Sequence, residues 1–65
     1  LNTEITNIVD KIVRNHGISE NAAIPILQEI QQAFNYLPQE ALKHVCETTD
    51  ISAAQIMGIA TFYSQ

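Results

Sequence analysis

The chain has 65 residues, a formal net charge of −4, one cysteine and no tryptophan. That length allows one domain with a marginal core, since a short chain hides a smaller share of its surface than a long one. The single cysteine rules out an internal disulfide, the acidic balance argues against nucleic acid and anionic membranes, and direct membrane insertion is not expected. His16 and His44 have no second ligand nearby at zinc spacing, so a structural zinc is not expected. Support for so small a domain is then expected from a partner or from further sequence. No basic segment followed by an apolar stretch reads as a secretory signal. No apolar run approaches the ~20 residues that span a bilayer. A soluble, cytoplasmic protein is the expectation, and a lone thiol fits a reducing compartment.

The first helix is expected over about 4–15. Ile5, Ile8, Val9, Ile12 and Val13 recur at helical spacing and make one apolar stripe. Thr3 is the candidate N-cap, and His16-Gly17 closes the helix, with Gly17 free to take the left-handed stop conformation. His16 there reads as part of the helix end and not as a ligand.

A second helix is expected over about 21–35. Ala23, Leu27, Ile30, Phe34 and Leu37 line one side, and Ile24 and Ile26 broaden it. Pro25 belongs in the first turn, where a missing N–H costs least. The third helix spans about 38–48, with Pro38 at its first position. Its inner face is Ala41, Leu42, Val45 and Cys46, and His44 reads as a solvated surface residue.

The fourth helix covers about 53–63 behind Ser52, which with Gln55 makes a capping-box pattern. Met57, Ala60 and Ile56 form one stripe, while Ile59, Phe62 and Tyr63 spread around the helix. A helix that is apolar on more than one side is usually covered on more than one side. Gly58 costs about 1 kcal/mol relative to alanine inside a helix, a cost that makes sense if another backbone comes close. The links "GISE", "YLP" and "TDIS" are short. The expected fold is therefore all-α, a compact bundle of four short helices forming a single domain over 1–65.

Catalytic chemistry is poorly represented. Cys46 and His44 are two apart on one helix and point in different directions, and Cys46 sits where cysteine acts as a small hydrophobe. Gly17 and Gly58 stand alone, so there is no phosphate loop. The third and fourth helices with their short turn have the outline of a helix-turn-helix. Phosphate contacts and guanine readout need Lys and Arg, however, and the only ones are Lys11, Arg14 and Lys43, none of them on the would-be recognition helix.

Two stretches, "ILQEIQQAFNYLPQEAL" (26–42) and "IMGIATFYSQ" (56–65), carry a resemblance. The marks are Leu27-Gln28-Glu29, the link Tyr36-Leu37-Pro38, and Gly58 followed by Ala60-Thr61-Phe62-Tyr63. The chain resembles the N-terminal helical part of the thioredoxin-like [2Fe–2S] subunit of NADH-dependent oxidoreductases. That subunit is found in the NADH dehydrogenase module of complex I, with relatives in NAD(P)-linked hydrogenases and formate dehydrogenases. The resemblance implies that residues 1–65 are the N-terminal fragment of a longer subunit and that its thioredoxin-like [2Fe–2S] domain is absent from them. In the family that domain holds its cluster with a C-x4-C pair and a later C-x3-C pair. Cys46 matches none of those positions, so no catalytic, metal or cofactor-binding residue is expected in this fragment. The uncharged end at 58–65 then reads as cut in the middle of a larger object.

The implied role is a helical docking domain of an electron-transfer subunit in an NADH- or NADPH-linked flavin and iron–sulfur oxidoreductase. Its implied partners are its own thioredoxin-like domain and the flavin-binding, NADH-oxidising subunit with FMN. The interface residues singled out are Gly58, Ile59, Phe62 and Tyr63. A stand-alone helical interaction adaptor is the alternative, and a helix-turn-helix regulator a more distant one.

Overall fold

The apolar stripes become helices close to where their periodicity places them. A computed structural model describes residues 3–63, with residues 62 and 63 described by their backbone alone. It contains α1 (Thr3–His16), a single 3₁₀ turn (Glu20–Ala22), α2 (Ala23–Phe34), α3 (Gln39–Thr48) and α4 (Ala53–Tyr63), with no strand among the described residues. Each helix packs mainly on two others: α1 on α2 and α3, and α4 on α2 and α3. Going round the bundle the order is therefore α1, α2, α4, α3.

The core is built from all four helices. Val9, Ile12 and Val13 come from α1, Ile26, Leu27 and Ile30 from α2, Ala41 and Val45 from α3, and Ile56 from α4. Ile51 adds to it from the α3–α4 link, and Ala22 and Ala23 from the entry to α2. Phe34, Leu37, Leu42, Cys46 and Ile59 pack on its edge, partly buried. Full burial of one Leu or Ile side chain contributes about 1.5–3 kcal/mol, so this set supplies the driving force that local helix propensity lacks.

Helix ends follow the capping chemistry, with several shifts from expectation. Thr3 lies inside α1 and not before it; its carbonyl accepts a 2.9 Å hydrogen bond from Thr6 Oγ1. Gly17 has φ +92°, and its N–H donates to Val13 O at 2.7 Å, the left-handed stop. The segment 20–22 is a separate 3₁₀ turn capped by Ser19, whose Oγ accepts from Asn21 N at 3.2 Å. The α-helix proper starts only at Ala23, which places Pro25 third within its first turn. α2 stops at Phe34 because Asn35 takes φ +68°, a conformation asparagine tolerates better than most residues.

Pro38 is the N-cap of α3 and not its first helical residue. Its ψ of 137° is extended, while its carbonyl accepts the bond from Leu42 N at 3.1 Å. Proline's fixed φ suits a helix, but it is the ψ that decides where the helix begins. Half of the capping box before α4 forms: Gln55 N donates to Ser52 Oγ at 3.1 Å. The Gln55 side chain does not turn back to Ser52. Its Nε2 donates to Glu20 O at 3.2 Å and fastens the start of α4 to the 3₁₀ turn. Ile24 does not broaden the buried side of α2, being 54 % exposed.

Candidate docking surface

Among the described residues α4 packs on the bundle through one side, against α2 and α3. Ile56 is 2 % exposed and faces the core, and Ile59 is half-buried against it. One residue on from Ile56, the register turns outward: Met57 is 63 % exposed, and Ala53, Ala54, Gly58 and Thr61 are exposed as well. The stripe expected to unite Met57 with Ile56 and Ala60 is thus divided, with Ile56 inside, Ala60 half-buried and Met57 outside. The physical reason is that a helix apolar on several sides gives no preferred inner face of its own, so packing against α2 and α3 decides it.

Gly58 lies in mid-helix, and a Cβ placed on it would meet nothing within 4 Å. No contact inside the described bundle therefore requires glycine there. Phe62 and Tyr63 belong to the last turn of α4, but their side chains lie outside the described residues. Of the four interface residues expected from the sequence, the described structure brings Gly58 to the surface and divides Ile59 between core and surface.

Sequence reasoning missed a groove between α3 and α4. It has a volume of about 410 Å³ and an apolar floor of Leu42, Cys46, Ile56 and Met57, with Lys43 and Glu47 beside it. Leu42 and Cys46, four apart on α3, were legible as a pair; that Met57 would stand across from them was not.

The titratable side chains do other work. His44 is not a freely solvated residue: its side chain is 20 % exposed, and Nε2 donates to Asp10 Oδ1 at 2.6 Å, joining α3 to α1. His16 Nε2 donates to the Glu29 carboxylate and joins the end of α1 to α2. Both pairs tie helices together at the surface. Cys46 is a free, half-buried thiol. Among the described residues no group of three or more His, Cys, Asp or Glu side chains could hold a metal ion. No helix among them is long and apolar enough to cross a membrane.

Compared with protein-family models, residues 9–65 match the thioredoxin-like [2Fe–2S] ferredoxin. The chain belongs to this family. Both stretches that carried the resemblance, 26–42 and 56–65, lie inside the matched range of the thioredoxin-like ferredoxin. No solved structure matches the chain. A [2Fe–2S] cluster in a thioredoxin-like ferredoxin needs several thiolates, and these 65 residues contain one cysteine, in the floor of the groove. Residues 1–65 of this ferredoxin therefore do not supply a ligand set for the cluster.

Proposed function

We propose that residues 1–65 are the helical docking domain of a cytoplasmic electron-transfer subunit in an NADH- or NADPH-linked flavin and iron–sulfur oxidoreductase, of the complex I, hydrogenase or formate dehydrogenase type. The observation that carries this reading is the family match across a stretch with a single cysteine. A cluster-bearing family and a ligand-poor bundle together point to a positioning role, with the [2Fe–2S] cluster held by a thioredoxin-like domain of the same subunit. In such a protein the cofactors carry the electrons, and the polypeptide sets their separation and orientation.

The outer side of α4 is where this domain would meet its neighbours. Exposed Met57 and Gly58 supply an apolar, low-relief surface there, and Phe62 and Tyr63 follow in the last turn. The partners are the thioredoxin-like domain and the flavin-bearing subunit with its FMN. Nucleic acid is not among them, because α4 contains no lysine or arginine.

Titration of the purified flavin-bearing, NADH-oxidising subunit with this chain tests the reading. A one-to-one complex with a Kd on the order of 1–100 μM is expected for a contact of modest size. Absence of heat and of co-elution at ~500 μM, about −4.5 kcal/mol of binding free energy, would leave the docking role without support.

A further inference from the structure

Gln55 stands where a capping box would turn its side chain back on the helix start, yet that side chain bonds elsewhere. Its backbone N–H donates to Ser52 Oγ at 3.1 Å, while its Nε2 donates to the carbonyl of Glu20 at 3.2 Å. The same carbonyl accepts from Ala23 N–H within the 3₁₀ turn. A carbonyl oxygen has two lone pairs, so it can serve both donors. Five residues before Gln55, Asp50 N–H donates to Ile18 O at 2.9 Å. The segment before α2 and the segment leading into α4 are thus joined at two points, 18 to 50 and 20 to 55.

The chain leading into α4 is itself held. Thr49 Oγ1 donates to Val45 O at 2.6 Å and accepts from Ile51 N–H at 3.1 Å, and Ile51 is buried. Beyond this point α4 has little sidedness of its own. It carries no charged residue, and among its described side chains Ile56 alone is buried. One attachment lets a helix pivot about it. A second, made by a side chain of the helix, removes a rotation that weak sidedness would otherwise permit.

We propose that Gln55 is a positioning residue: its bond to the Glu20 carbonyl fixes the direction in which α4 presents its outer side. The bearing of this on assembly rests on the docking reading. The hold on α4 does not, and it is measured in the chain alone.

Amide hydrogen exchange, followed residue by residue by NMR, compares wild type, Glu20→Gln, Gln55→Glu, and Gln55→Lys combined with Glu20→Gln. Glu20→Gln leaves the accepting carbonyl in place and prevents a side-chain ion pair from standing in for the bond. A capping role and a positioning role predict opposite orders. Glutamate suits the helix start better, through the capping box and the helix dipole, but has no donor for the carbonyl; lysine suits it worse and keeps a donor. Gln55→Glu should speed exchange of the amides of residues 56–61 by about two- to tenfold, the worth of one hydrogen bond, with the α1 and α3 amides unchanged. Glu20→Gln should match wild type, and the lysine variant should match Glu20→Gln. Exchange in Gln55→Glu as slow as in wild type, an increase shared equally by α1 and α3, or a lysine variant as fast as the glutamate one would each overturn the proposal. In the longer subunit, Gln55→Glu should weaken flavoprotein binding by a similar factor. Selective loosening of α4 with unchanged binding would support the positioning bond and contradict docking through α4.

Discussion

Leu27→Ala is expected to destabilise the bundle by about 2–5 kcal/mol, the range for truncating a large buried aliphatic side chain. Leu27 is fully buried in α2, the helix that packs on both α1 and α4. Its flanking core residues, Ile26 and Ile30, are also fully buried, so little rearrangement is available to close the cavity. A small domain has only a few kcal/mol of net stability to lose. Most of the helical signal at 25 °C should therefore disappear, and urea titration should show no folded baseline. A transition within ~1 kcal/mol of wild type would mean that the α2 face is far more plastic than its burial indicates.

Phe62→Ala and Tyr63→Ala are expected to act on assembly more than on folding. Large aromatic side chains near the centre of an interface commonly cost about 2 kcal/mol or more when truncated, roughly thirtyfold in affinity. Both positions fall in the final turn of α4, where few backbone hydrogen bonds remain to be lost. The isolated variants should keep most of their helicity, and the longer subunit carrying them should no longer retain its flavoprotein through purification. Unfolding of both variants as severe as that of Leu27→Ala would make the end of α4 part of the core.

The stripes of α1 and α2 were legible because each has one apolar side, and a single side leaves one way to pack. Gly17 was legible as a helix stop for a local reason, its tolerance of positive φ. The family was legible from 26–42 and 56–65, and the match over 9–65 bears that out. What the sequence hid depends on chain segments meeting in space. The His44–Asp10 hydrogen bond joins residues 34 positions apart, and the His16–Glu29 pair joins residues 13 apart. The groove depends on the gap between α3 and α4. Which side of α4 faces inward is not legible because its apolar residues surround the helix: helical spacing puts Met57 in a stripe with Ile56, and only Ile56 of the two is buried.

Gly58 offers the most direct test, because folding and the proposed docking would make opposite demands on it. With open space where a Cβ would stand, Gly58→Ala should stabilise the isolated bundle by about 0.5–1 kcal/mol, the helix propensity that glycine forgoes. If the glycine serves a close approach by the flavin-bearing subunit or the thioredoxin-like domain, the added methyl group should weaken assembly about tenfold, or ~1.4 kcal/mol. The measurement is a paired one: urea stability of the chain alone, and affinity of the longer subunit for the flavoprotein, for wild type and Gly58→Ala. The docking account predicts a gain in the first and a loss in the second. A variant that gains stability and assembles as tightly as wild type would contradict it.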